Sequence, residues 1–243
     1  MMRNIKLIIE YDGTEFVGWQ RQPNGRSVQE EIEKTLSSIT QERVTIVGAG
    51  RTDSGVHARG QVANFFTDGA LTVNDFQRAL NGMLPEDIVI HSAEEIGTDF
   101  SARYSASSRE YKYFISLKPG AVNRKYCWHL RYPFEIEKMN RAAEMILGIH
   151  NFQAFCKNDS EVEHHRCEVF NSVWNLENDM LVYTVRANRF LQGMVRALVG
   201  TMVNIGRGYT PEEDFPMILA SNDRSRAGQA APARGLFLER VTY

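Results

Sequence analysis

The order in which two sequence periods alternate limits what this chain can fold into. RNIKLIIEY (3–11) alternates apolar and polar residues and is rich in β-formers, so it reads as a strand. SVQEEIEKTLSSI opens on Ser27 with Glu30 three residues on, a capping-box pattern. Val28, Ile32 and Leu36 then recur every four residues, which predicts a helix. RVTIVG (43–48) and GQVANFF (60–66) read as strands. A helix over 74–84 carries Phe76, Leu80 and Met83 on one side, and DIVIHSAEEI (87–96) reads as a strand. The first half is therefore β-α-β-β-α-β.

The second half repeats the order without repeating the sequence. REYKYFISL (109–117) predicts a strand, and EIEKMNRAAEMILG (135–148) a helix with Gly148 as its stop. CEVFNSVWNLE and MLVYTVRA predict a hairpin around Asn178-Asp179. RFLQGMVRALVGTMVNIG (189–206) reads as a long helix and LFLERVTY (236–243) as a last strand, with a helical segment near 211–220 that Pro216 must kink or begin. Split β-α-β units of this kind predict an α+β fold. The expected architecture is two ferredoxin-like halves, 1–105 and 106–243, with antiparallel sheets side by side and a cleft between. At 243 residues and 43% apolar content, there is enough chain to bury the core of such an arrangement.

No apolar run approaches the length of a membrane span. The opening MMRNIKLIIEYDG lacks the apolar stretch and small-residue site of a signal peptide. Three scattered cysteines, Cys127, Cys156 and Cys167, do not form a disulfide framework. A cytoplasmic setting is expected. The net charge of −2 hides a segregated distribution. Arg103, Arg109, Lys112, Lys118, Arg124, Lys125 and Arg131 face one acid, Glu110, between positions 101 and 131. Arg186, Arg189, Arg196 and Arg207 lie in a stretch without acids. Such blocks are either solvated surface or one positive face suited to nucleic acid.

GAGRTDSGVHARGQVANFF (48–66) sets four glycines around Arg51, Asp53, His57 and Arg59. A phosphate cradle fails here, because a strand rather than a helix follows and no G-K-[ST] is present. Asp53, Ser54 and His57 do not make a hydrolase triad by proximity in sequence, since triads assemble from distant segments. His150, Cys156, His164, His165 and Cys167 lack the paired spacing of zinc ligands. Asp53 could simply cap a turn. Its flanking cations argue instead for a carboxylate kept ionised, a poised base or nucleophile. The glycines would let a flat base or ribose approach the backbone.

GRTDSGVHARGQV closely resembles the active-site segment of the TruA family of tRNA pseudouridine synthases. The resemblance runs through EYDGTEFVGWQRQ, SVQEEIEKTL, DFSARYSASSREYKYFI, ANRFLQGMVRALVGTMVNIGRG and APARGLFLERVTY, in order and over nearly the whole chain. It implies the pseudouridine synthase fold, with the first half carrying the catalytic loop and the second completing the cleft. It implies that Asp53 acts on the target uridine with Arg51 beside it. Tyr111 would stack on the base or act near its C5, and Arg196 would pair with the aspartate. Leu236 and Leu238 would wall the base pocket. The implied activity is isomerisation of uridines 38, 39 and 40 in the tRNA anticodon stem-loop, by a homodimer without a cofactor or metal.

The residues fit that chemistry. Arg196 interrupts an otherwise apolar helix, which is costly unless an acid from another segment answers it, or unless it lies on a polar stripe with Gln192. Tyr111 suits a flipped base, although Tyr113 shares its sheet face, so the resemblance and not the pattern selects Tyr111. Arg21, His57, Arg59 and Arg109 are further candidates for substrate contact, with Arg103, Lys112, Arg124, Lys125, Arg189 and Arg207 for phosphates. Trp19 either stacks or packs. The segment 158–167 (NDSEVEHHRC) departs from the S-R-T run of the family pattern, with Arg166 its nearest basic residue. Two other readings stay open: an RNA-binding protein for which Asp53 is dispensable, and a related synthase with other targets. The compact length favours the bacterial-type enzyme.

Overall fold

A computed structural model describes residues 2–157 and 163–243, so positions 158–162 of the atypical segment lie outside the described residues. Two compact units emerge, one of residues 1–107 with 237–243 and one of 108–236.

The first unit begins with β1 (Arg3–Tyr11), whose Ile5, Leu7, Ile9 and Tyr11 are all buried, as a period of two requires. Next is α1 (Val28–Thr40). Ser27 Oγ accepts the Glu30 N–H at 3.4 Å, but the Glu30 carboxylate pairs with Lys34 at 2.9 Å, so only half of the predicted capping box forms. A complete box stands at the head of α2 (Val73–Met83), between Thr72 and Asp75. Between the helices lie β2 (Val47–Gly48) and β3 (His57–Thr67), and β4 (Ile88–Ile96) follows. β1 lies between β3 and β4, antiparallel to both.

The strand expected over 43–48 is only two residues long, for a physical reason. The Val44 amide donates to Ser37 Oγ (3.1 Å) and the Ile46 amide to Glu33 Oε1 (3.1 Å), so side chains of α1 satisfy this backbone. Pairing with β3 starts only at Val47↔Asn64 and Gly48↔Ala63.

The second unit contains β5 (Ser108–Ser116), β6 (Trp128–His129), α3 (Ile136–Glu144), β7 (Gly148–Asn151), β8 (Arg166–Glu177), β9 (Met180–Ala187), α4 (Met194–Gly206) and α5 (Phe215–Ala220). Its strands run β5-β9-β8-β7, antiparallel throughout, with β6 parallel to β5 at one end. The β8–β9 hairpin turns at Asn178 (φ 47°) and Asp179 (φ 64°), the paired positive φ of a two-residue turn matched to sheet twist. The helix expected over 135–148 ends at Glu144, and Gly148 (φ 86°) opens β7, a strand too short to leave a sequence period. The helix expected from 189 starts at Met194, because Gly193 before it is left-handed (φ 74°). Pro216 begins α5 rather than kinking it.

In this unit's core Trp174 stacks on Tyr183 (4.8 Å), and the Asn140 side chain brackets the Trp174 backbone with bonds of 3.1 and 2.8 Å. The segment 228–231 runs against α4: the Gly228 amide donates to Thr201 Oγ1 (2.8 Å) and the Ala231 amide to the Arg196 carbonyl (2.9 Å).

The last strand, β10 (Leu236–Thr242), does not stay with the second half, as the sequence order suggested. It pairs in parallel with β3 at Phe237↔His57 and Leu238↔Ala58, and residues 237–243 belong to the first unit. The described residues therefore form the expected α+β fold, with β10 as a parallel exception in a largely antiparallel arrangement. No helix among them is long and apolar enough to cross a membrane.

A methyl group on Gly200 would lie 1.8 Å from the Gln229 carbonyl oxygen, backbone that cannot yield cheaply, whereas Gly82 on α2 has open space around it. Gly200→Ala should cost about 1–3 kcal/mol through overpacking, and Gly82→Ala should gain about 0.5–1 kcal/mol through helix propensity. Urea unfolding of both variants beside the parent chain checks the opposite signs.

Candidate active site

The glycine-rich loop leaves the sheet where β3 changes neighbours. Going backwards along β3, β2 pairs at Asn64 and Ala63, and the Ala49 amide reaches the Val62 carbonyl at 2.8 Å. Gln61 Nε2 then donates to the Gly50 carbonyl at 3.0 Å. At Gly60 the chain of β10 arrives, so close that a Cβ there would lie 2.3 Å from the Glu239 carbonyl oxygen. β10 pairs with His57 and Ala58, and residues 51–56 lie outside the strands.

A second loop, 12–19, grips the diverging segment. Thr52 is buried, with Oγ1 2.7 Å from the Tyr11 hydroxyl and its carbonyl accepting the Trp19 N–H at 3.1 Å. Ser54 Oγ (3.2 Å) and the Gly55 amide (3.3 Å) both donate to the Phe16 carbonyl. Val56 N–H closes the turn on the Asp53 carbonyl at 3.1 Å. Two glycines allow the approach: a Cβ on Gly13 would stand 2.0 Å from the Val56 carbonyl oxygen, and one on Gly18 (φ 116°) 2.6 Å from that of Thr52. Burial holds the Tyr11 hydroxyl well above the usual phenol range, so it stays protonated and able to donate.

The backbone is thus fixed on both sides of Asp53, whose side chain is half-buried, while Arg51 is exposed. His57 is 1% exposed, with its ring stacked on Phe237 at 4.5 Å and Nδ1 accepting the Gly13 N–H at 3.0 Å. The same nitrogen lies 3.1 Å from Asp12 Oδ1, and these contacts with the 12–13 backbone and side chain place His57 in the core as a support of the loop. Arg59 has its guanidinium over Phe237 (4.6 Å) and bonded to Glu239 (2.8 Å). Leu238 is fully buried and Leu236 nearly so. Trp19 packs: it is buried beside Tyr11 and lies where a Cβ on Gly48 would meet its ring at 2.6 Å. Arg21 is exposed, 3.5 Å from Glu33.

In the second unit, Tyr111 is 8% exposed and meets Phe190 edge to face at 5.1 Å. Arg109 donates to the Asn188 carbonyl at 2.8 Å. Arg196 Nε donates to the Ala231 carbonyl at 2.7 Å, half-buried at the start of α4. Tyr113, buried on the same strand face as Tyr111, donates its hydroxyl to the Pro232 carbonyl at 2.7 Å. Burial raises its pKa far beyond the phenol range, against the opposing charges of Arg196 and Arg234. Arg207 stacks between Tyr132 (4.2 Å) and Tyr209 (4.4 Å), and Arg103 lies over Tyr104 (5.4 Å). Among the described residues no three His, Cys, Asp or Glu side chains gather to hold a metal ion.

Sequence reasoning missed Tyr11, Thr52, Gln61, Phe16 and Gly13, which hold the loop. Only the two glycines of DGTEFVG carried a signal, since a glycine in a conformation or contact closed to other residues implies a nearby backbone. Tyr11→Phe and Thr52→Val should each destabilise by about 1–2 kcal/mol, because each leaves a buried hydroxyl without its partner. The double variant should cost less than the sum, with a coupling of about 1 kcal/mol read from a denaturation cycle.

The pattern of the tRNA pseudouridine synthase family matches residues 7–105 and 142–243. Over 244 aligned residues the chain is 43% identical to tRNA pseudouridine synthase A of Acetivibrio thermocellus and to that of Caldicellulosiruptor bescii, with 100% of both chains covered in each case. The protein of the same name from Chlorobium luteolum is 43% identical over 243 residues, which span 96% of its length. Among solved structures, a Cbf5-Nop10-Gar1 complex aligns with 96% of this chain and 57% of that chain at 10% identity and a TM-score of 0.36, too loose a likeness to bear on the fold. On the matches in sequence, the chain belongs to the TruA family of tRNA pseudouridine synthases.

Proposed function

We propose that the chain isomerises uridine to pseudouridine at positions 38, 39 and 40 of the tRNA anticodon stem-loop, with Asp53 as the catalytic carboxylate. The observation that carries this reading is the loop at 50–56. Its backbone is held at Gly50, Thr52 and Gly55 and its Ser54 hydroxyl on the Phe16 carbonyl, while the half-buried Asp53 lies between Gly50 and Gly55 in the chain. A carboxylate on a fixed backbone is what a reaction at a ribose carbon needs, because positioning removes much of the entropic barrier.

The reaction exchanges one bond for another. The bond from ribose C1′ to N1 breaks, the base turns, C1′ joins C5, and the C5 proton leaves to solvent while N1 gains one. No electrons are transferred and no group leaves, so the chemistry calls for no redox cofactor. Asp53 starts it either by attacking C1′ or by taking the 2′ proton of the ribose. Arg51 stands next to it in the chain. Tyr111, Arg196, Leu236 and Leu238 keep the roles that the resemblance implies. His57 serves as support for the loop, and Arg21, Arg59 and Arg109 as contacts for the RNA backbone, whose contribution falls with salt. A cytoplasmic homodimer is part of the same reading, and light scattering tests the stoichiometry.

An anticodon-arm transcript labelled with tritium at uridine C5 tests the proposal. The parent chain should release label from positions 38–40, and Asp53→Asn, which keeps size but removes charge, should lower release by at least about 10³-fold. Equal release by both removes Asp53 from the chemistry. Binding without release by the parent favours an RNA-binding protein instead.

A further inference from the structure

Phe16, whose carbonyl holds the turn after Asp53, has its ring packed under a charged cluster. Phe16 is buried, and the guanidinium of Arg26 lies 4.3 Å from its ring centroid. That guanidinium is fixed by three bonds. Nη1 and Nη2 reach the two carboxylate oxygens of Asp87 at 2.6 and 2.9 Å, and Nε reaches Glu31 Oε1 at 3.1 Å. Bidentate pairing of this kind fixes orientation as well as distance.

The cluster joins segments remote in sequence. Arg26 lies just before α1, Glu31 in its first turn and Asp87 just before β4. The Asp87 carbonyl accepts the Asp12 N–H at 3.0 Å, and the Arg26 carbonyl accepts the Val17 N–H at 2.9 Å. Two points of the loop that carries Phe16 are thus bonded to the backbone carbonyls of the two residues that form the ion pair. A Cβ on Gly25 would meet the Val17 side chain at 2.4 Å, so the chain beside Arg26 is also packed against that loop.

We infer that Arg26 and Asp87 are positioning residues for the catalytic loop: through the Phe16 ring and carbonyl they set where Asp53 stands. This rests on the reading of Asp53 as the catalytic carboxylate. The physical argument is one of tolerance. Catalytic groups lose rate steeply when displaced by an ångström, whereas binding of a large RNA is spread over many contacts. Loosening the turn at Ser54 and Gly55 should therefore slow the chemical step and leave affinity for tRNA nearly unchanged. A merely structural role for the ion pair would lower the melting temperature without separating the two.

The test measures single-turnover tritium release and, separately, tRNA affinity by filter binding, at a temperature where melting curves show each variant folded. Arg26→Met keeps length but removes the charged plane. Asp87→Asn keeps shape but removes the charge and the matched fork. Both should lower the single-turnover rate ten- to a hundredfold, with the dissociation constant within about twofold, and the double variant should lose little more than either alone. Arg26→Lys, which keeps the charge without the plane, should also be slow. Glu31→Gln, which leaves the Asp87 fork intact, should stay within about twofold of the parent in rate. If Arg26→Met does not fold, Asp87→Asn decides. Folded variants with parental rates, or variants whose affinity falls while the rate holds, overturn the inference provided Asp53→Asn is inactive. Parental release by Asp53→Asn instead overturns the reading on which the inference rests.

Discussion

Strand β3 has one edge to offer beyond β1, and two segments divide it. β2 takes Asn64 and Ala63 and β10 takes Ala58 and His57, leaving only a few residues of edge between them. The chain from Gly48 to Val56 must leave the sheet there because its place in the ladder is filled. That shared edge accounts for the close approach of Gly60 to Glu239 and the position of the loop that carries Asp53.

A loop expelled from a sheet has backbone groups to satisfy. Here loop 12–19 satisfies the Thr52 carbonyl through the Trp19 N–H and the Gly55 amide through the Phe16 carbonyl, while Tyr11 at the end of β1 meets the Thr52 hydroxyl. Polar groups of a kind that also serves in catalysis, His57 and Tyr11, act in this support. The same economy holds in the second unit, where Arg196 is anchored by the Ala231 carbonyl and Arg109 by that of Asn188. Charge fixed in this way has already lost its side-chain freedom, which is the basis of preorganisation.

The elements with long, uninterrupted periods were legible in the sequence. β1 shows period two over its nine residues, α2 has its apolar face on one side, and Asn178-Asp179 announced a two-residue turn. What was not legible depended on long-range neighbours. Val44 and Ile46 have the composition of a strand, but Ser37 and Glu33 claim their amides. β7 is four residues long and has no period to read. The partner of β10 lies almost two hundred residues away, and no local pattern encodes a parallel pairing at that distance. At the site, the resemblance singled out Asp53 and the glycines in their loop. His57, one of its flanking residues, has its ring turned into the core, and no alternation within a loop distinguishes a support from a contact.

The account stands or falls on where a bound uridine meets this loop. The direct measurement is a crystal structure of Asp53→Asn with an anticodon-arm RNA carrying uridine at position 39. The account predicts that uridine turned out of its helix, with its ribose C1′ or 2′ oxygen within about 3–3.5 Å of the residue 53 side chain, the separation of reacting groups poised to react. An ordered RNA whose extruded uridine lies against other residues, with residue 53 far from any ribose, would contradict it.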